Sequence, residues 1–366
     1  MYFGLSEEQE FFQETINKFL EDESTIDEIK SFAKGDNPEF PEKIHTGLLD
    51  LGINGLIIPE EYGGLGEDFL SAAAVSESLG AGVAASPFIG SYVMAPYAIM
   101  KMGSDKQKDK YLNGITDGSI KLGIGLTEFV ASREGAHIKI ESGKANGKAL
   151  FVFDSYNATH FILSDSTGQL FIIDAKAKGL EIIELTTVDK TSSFVELVIK
   201  DVEIDILDQE SIDQNHTQEI VDLGRLMIAA DSLGAAQVMI NKSVSYSKEI
   251  KQFGRVIGSF QAVKHMCAEM TANIEPCYSL IWYAAHCINN IPEESSLMSS
   301  HSKAHVSEVA SSIAKTATEV HGGMGFTDDL GLHYWFKRIG MNRQLLGGVD
   351  TVREEAANVQ LSLIHI

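Results

Sequence analysis

The chain has 366 residues, with 52 acidic against 29 basic side chains and a formal net charge of −23. That length supports two or three packed units with sizeable cores. The charge excludes a broad phosphate-binding face, and with it nucleic acid as the main partner, while leaving room for a local basic pocket.

The N-terminus, MYFGLSEEQEFFQETINKFLEDE, lacks the basic start and apolar core of a secretory signal. Phe11, Phe12, Ile16, Phe19 and Leu20 recur at helical spacing, and Ser6 with Gln9 offers a capping box. Helical patterning continues to about residue 120. It is broken at Pro59 and Gly63-Gly64, then resumes in FLSAAAVSESLGAGVAASPFIGSYVMAPYAIMKMG, whose small residues suit closely packed helices. No apolar run reads as long enough to span a bilayer, so no membrane association is expected.

Near residue 120 the pattern changes. Apolar segments at 122–126, 137–142, 148–154, 159–165, 169–175, 180–185 and 193–204 alternate with polar turns, as in an all-β unit. Asp208 to Gln218 is polar and reads as a linker. Helical spacing then returns in LGRLMIAADSLGAAQVMINKSVSYSKEI and over residues 260–290, 296–322 and 347–360. The expected class is α+β, with an all-α domain over 1–120, an all-β domain over 121–207 and a helical bundle over 208–366. Cys267, Cys277 and Cys287 recur every tenth residue, which is no metal-ligand spacing. They read as small buried hydrophobes, and their scarcity points to a reducing cytoplasm.

Two motifs narrow the reading. YSKEIKQFGRVIGSFQAVKHM, Tyr246 to Met266, holds a Phe-Gly turn and then a Ser-Phe-Gln-Ala run opening a helix; EVHGGMGF, Glu319 to Phe326, follows. In this order and at this distance they resemble the flavin-dependent acyl-CoA dehydrogenase family. That resemblance implies an N-terminal helical domain, a middle β-barrel or sandwich and a C-terminal four-helix bundle. It also implies FAD as cofactor, an acyl-CoA substrate and electron-transfer flavoprotein as acceptor. In the family a carboxylate takes the α-proton while the β-hydrogen leaves as hydride to the flavin. Such a base must be desolvated and held against a weakly acidic proton, and the flavin carries the hydride chemistry.

The resemblance puts Gly347 where the usual base Glu would stand, and Gly224 at the alternative base position just before Arg225. Glycine cannot accept a proton. Two nearby carboxylates are substitutes: Asp350, which also reads as a helix-start carboxylate, and Asp231, which also reads as a paired structural carboxylate. In the flavin loop, LTEFVASREGAHI keeps Thr127 and Glu128, puts Phe129 in place of Pro, and has Ser132-Arg133 as a loose counterpart of Ser-Asp. Phe151 and Phe153 replace a Trp and a Thr. Phe151 could still stack on a ring, and both also read as core strand residues. For the ADP half of FAD, held in the family largely by the neighbouring subunit, Phe253, Gln261, Gly322 and Gly323 match. Glu319 stands for Gln, and Ile250 stands for an Arg whose fork of donors binds pyrophosphate. Asp222 and Arg225 match a helix that lines the acyl-CoA cleft in the family.

These departures fall on the base, the ring pocket and the pyrophosphate clamp. They resemble the shorter, degenerate subunit of bacterial two-chain acyl-CoA dehydrogenases. Three readings follow: a subunit active only with a second, different chain; a self-sufficient homo-oligomer, dimer or tetramer, with a displaced base; and a catalytically silent acyl-CoA-binding scaffold.

Overall fold

The computed structural model describes residues 4–131, 134–207 and 214–364. The chain forms two compact units, one of Met1–Pro38, Ala73–Ala84 and Arg225–Ile366, the other of Glu39–Ala72 and Ala85–Gly224. Helix α8 (Gln214–Glu249) runs from the second into the first.

The second unit carries α3 (Phe40–Asp50), α5 (Ala95–Met102), α6 (Asp105–Thr116) and the short α7 (Thr127–Val130). Its strands are β1 (Leu122–Gly125), β2 (Ile138–Glu141), β3 (Lys144–Phe153), β4 (His160–Ser164), β5 (Leu170–Asp174), β6 (Leu180–Leu185), β7 (Phe194–Glu203) and β8 (Asp205–Ile206). They make one mixed sheet in the order β6-β7-β3-β1-β4-β5-β8, with β2 paired to β3. β1 and β4 are parallel, Leu122 facing His160 and Gly125 facing Leu163; the other pairs are antiparallel. The strand segments expected from alternation are all present, and β8 is an addition too short to leave a pattern. Val152, Phe161, Phe171, Val195 and Leu197 fill the core on one face. Gln107 ties α6 to the sheet end by donating to Asp205 Oδ1 at 2.6 Å and to the Ile206 carbonyl at 2.8 Å.

The first unit is helical. α1 (Glu7–Glu23) opens with the expected capping box: the Ser6 hydroxyl accepts from the Gln9 amide at 3.2 Å, and Gln9 Oε1 accepts from the Ser6 amide at 2.9 Å. With it go α2 (Ile26–Lys34), the later part of α4 (Phe69–Ala81), and α9 (Gln261–Asn290), α10 (Pro292–His321), α11 (Leu332–Gln344) and α12 (Val349–Ile364). The sequence reading missed α11, whose LHYWFKRIGMNRQ mixes aromatic and charged residues without a clear apolar stripe.

α4 and α8 cross at a pair of glycines. A Cβ on Gly80 would lie 1.9 Å from the Asp231 carbonyl oxygen, and one on Gly234 would lie 1.9 Å from the Glu77 carbonyl oxygen. Only glycine on both helices admits that approach. The small residues seen in both segments thus serve a backbone-to-backbone contact.

Two expectations need correction. α8 begins at Gln214, so the polar stretch placed as a linker is helical from there; residues 208–213 lie outside the described residues. Its polar start misled because Gln and Asn tolerate helices while also marking loops. α8 is also long and apolar enough, by length and composition, to cross a membrane, contrary to the reading that no run is. Its most apolar window is 89% buried inside the protein, which makes it a core helix. Its interspersed charges hide the length of that window in the sequence.

Candidate active site

In the helical unit Gly347, where the resemblance would put a base, sits in the turn between α11 and α12. Leu346 has φ +56° and Gly347 φ +106°. At φ +106° an L-residue is strained, so the backbone itself favours glycine there. The turn is fastened from α8: Arg225 Nε donates to the Leu346 carbonyl at 2.9 Å, and Arg225 Nη1 meets Glu355 Oε2 of α12 at 2.5 Å. Arg225 is buried, not a surface charge. Lys303 of α10 donates to the Asn342 carbonyl, at the end of α11 that leads into the turn. Its Nζ is wholly buried, and burial with Arg225 and Arg343 nearby holds its pKa well below the ordinary lysine range.

The two substitute carboxylates are placed very differently. Asp231 is buried in α8 and its oxygens are taken: Arg338 Nε at 2.8 Å and Nη2 at 2.7 Å form a bidentate pair, and Asn342 Nδ2 donates at 2.7 Å. Arg338 also donates to the Ala84 carbonyl at 2.9 Å. Asp350 lies exposed in the first turn of α12, where a carboxylate favours the helix dipole. Arg338, Asn342 and Glu355 had no role in the sequence reading. The missed α11 was the reason, since two of the three lie on it.

The two motifs of the opening resemblance lie in the same unit. β9 (Lys251–Gln252) and β10 (Arg255–Val256) form a hairpin whose tip is Phe253, φ +52°, and Gly254, φ +79°. Those angles match a type I′ turn. Phe253 is 93% exposed at that tip, standing edge-on to Phe260, and the Arg255 guanidinium lies 4.0 Å from the Phe260 ring. Gln261 is exposed at the start of α9. Glu319 is exposed in the last turn of α10, and Gly322 and Gly323 follow, with no atom within 4 Å of where either Cβ would be.

In the sheet-bearing unit, Thr127 starts α7; its side chain and Ser132-Arg133 lie outside the described residues. Glu128 is buried, both its oxygens lack a hydrogen-bond partner, and His137 Nδ1 is 3.7 Å away. Burial raises its pKa, with His137 opposing. β3 shifts register between Ala149 and Val152, and within that bulge Phe151 has φ +53°. The bulge sends Phe151 out, 41% exposed, while Phe153 stays in the core at 3%. Phe151 is therefore partly exposed and Phe153 is not. Asp222, on the part of α8 in this unit, is buried and accepts from Gln218 Nε2 at 2.9 Å.

The model of the family's N-terminal domain, "Acyl-CoA dehydrogenase, N-terminal domain", matches residues 6–119, and that of its C-terminal domain, "Acyl-CoA dehydrogenase, C-terminal domain", matches residues 215–359. The chain belongs to the acyl-CoA dehydrogenase family. It is 29% identical over 357 residues to the short-chain specific acyl-CoA dehydrogenase of Clostridium acetobutylicum, covering 90% of this chain and 91% of that one. It is 27% identical over 352 residues to CarC, a subunit of the caffeyl-CoA reductase-Etf complex of Acetobacterium woodii, covering 89% and 90%. Among solved structures, a chain of the ChsE4-ChsE5 complex from Mycobacterium tuberculosis superposes with a TM-score of 0.86 at 22% identity, over 98% of each chain.

Family membership implies FAD, and the residues fit it in part. Open space at Gly322 and Gly323, with Phe253 and Gln261 exposed, suits the adenosine end. Where the resemblance would put a diphosphate-binding Arg, Ile250 is apolar, and where it would put Gln, Glu319 is an exposed carboxylate. Lys251 and Arg255 are exposed strand residues of the hairpin, and the Arg255 guanidinium lies over the Phe260 ring.

Proposed function

We propose that this chain is the base-deficient subunit of an acyl-CoA dehydrogenase-type oxidoreductase, working with a second, different chain of the same fold. Its own part is to present Phe253, Gln261, Gly322 and Gly323 to the adenosine end of an FAD. The partner supplies the diphosphate donors and the base for α,β-desaturation of an acyl-CoA thioester. The observation that carries this reading is the turn at Gly347. The position that would bear a base is glycine with φ +106°, and the two nearest substitutes are either paired with Arg338 and Asn342 or exposed at a helix start. A homo-oligomer would repeat that deficiency in every copy. The ChsE4-ChsE5 relative is a complex of two named chains, and the CarC relative belongs to an Etf complex, which supports electron-transfer flavoprotein as the electron acceptor.

The deciding measurement is the visible spectrum of the protein purified alone and after co-expression with its genomic neighbour. The reading expects a colourless, inactive chain alone and a yellow complex that reduces a dye with acyl-CoA. A yellow chain that turns over by itself would instead establish the self-sufficient enzyme. Acyl-CoA binding without flavin in either preparation would establish a silent scaffold.

A further inference from the structure

A cavity of about 340 Å³ lies in the helical unit where the end of α8, the exit of the β9–β10 hairpin and the start of α9 meet. That is at the small end of the range of roughly 300–1,000 Å³ seen for ligand sites. Its walls include Val244, Val256 and Gly258, and its charged residues are Lys248 and Lys264. Among the described residues no carboxylate lines it, in a chain with 52 acidic side chains. Neither lysine forms an ion pair or a side-chain hydrogen bond among the described residues.

The remaining polar groups are already satisfied. Ser247 Oγ donates to the Val244 carbonyl at 2.8 Å and is in hydrogen-bond contact with the Cys267 thiol. Ser259 Oγ donates to the Val256 carbonyl at 2.7 Å. With the hydroxyl protons committed inward, an entering anion meets two exposed lysines and otherwise mostly apolar walls. A phosphate dianion, which calls for many convergent donors, is poorly matched to that lining. A single carboxylate with a hydrocarbon tail is well matched, the head between the lysines and the tail against the valines.

We propose that this cavity binds the carboxylate of a short- or medium-chain fatty acid, at a site separate from the turn at Gly347. The pocket adjoins the hairpin and the helix start that carry Phe253 and Gln261, and its test reads ligand binding rather than turnover, which keeps it apart from the reading of the chain as a dehydrogenase subunit.

Calorimetric titration of the purified protein with octanoate, octanol and inorganic phosphate tests the charge and the tail separately. Octanoate should bind at one site per chain, octanol at least about tenfold more weakly, and phosphate weaker still. The double variant Lys248→Met, Lys264→Met should lose about tenfold in octanoate affinity with an unchanged melting temperature. A second measurement needs no variant: octanoate should slow acetylation of Lys248 and Lys264 in the native protein, read by peptide mass spectrometry. Octanol binding as tightly as octanoate, phosphate binding as tightly, or unaltered acetylation at both lysines would each overturn the proposal. So would a double variant that keeps its octanoate affinity or whose only change is in oligomeric state, which would mark the cavity as part of an interface between copies.

Discussion

Two acids, Asp231 and Glu77, illustrate how much a single residue's meaning depends on its neighbours. In sequence Asp231 read either as a substitute base or as a paired structural carboxylate. The structure surrounds it with the Arg338 fork and Asn342, so its charge is balanced where it sits. Asp231→Ala would leave the Arg338 guanidinium buried without its partner. It should cost about 3–5 kcal/mol in urea unfolding, far more than an exposed change such as Asp350→Ala. A small effect at Asp231 would show that the pair is not buried in solution. Glu77, on α4, carries the opposite problem. Burial raises its carboxyl from 4.5 to about 7, with the Gln13 side chain as a hydrogen-bonding neighbour. Because its folded value exceeds its unfolded value, its stabilising effect is full below pH 4.5. It is lost as pH rises through about 7. Glu77→Gln should remove that dependence, so that the variant gains on wild type by up to about 3 kcal/mol between pH 4 and 8. Urea midpoints taken across that range read it directly, and parallel curves for the two proteins would refute the assignment.

Among the elements, α4 and α8 are joined by contact of backbone with backbone. Gly80 and Gly234 each leave no room for a methyl group against the facing carbonyl. Gly234→Ala should therefore cost about 3 kcal/mol through forced separation of the helices, despite alanine's better helix propensity. Circular dichroism melting of the variant measures it, and a stabilised variant would mean that the crossing is looser than described. The Phe-Gly turn was legible in sequence, whereas the two-residue strands that flank it are too short to leave a pattern. The strands were legible for a similar reason: one buried face imposes alternation. α11 was not, because its buried Leu332, Tyr334, Trp335, Arg338 and Ile339 include an Arg whose burial depends on a carboxylate from another helix. No pattern within the segment encodes that partner.

For the molecule as a whole, the question is what the chain does with another. Under the proposed function its diphosphate clamp is weakened at Ile250, an apolar residue beside an exposed hairpin. Ile250→Arg should raise FAD occupancy in the protein purified alone, measured as the ratio of absorbance at 450 nm to that at 280 nm, by severalfold if one bidentate contact is restored. An unchanged ratio would place the deficiency elsewhere. Gly347→Glu is expected to recover little turnover on its own, because the backbone at φ +106° strains any L-side chain. Recovery to the level of the two-chain enzyme would mean that the turn relaxes at little cost.

Sequence by itself determined the family, the α+β class and nearly every strand and long helix, because alternation, helical spacing and turn chemistry are local and each element carries its own signal. Only the tertiary structure decided that Asp231 is paired, that Asp350 is exposed, that Phe151 faces out while Phe153 faces in, and that Arg225 is buried holding the Gly347 turn. The physical reason is the same in each case. Charge compensation and the direction of a side chain at a bulge depend on atoms far away in the chain, which no window of sequence contains.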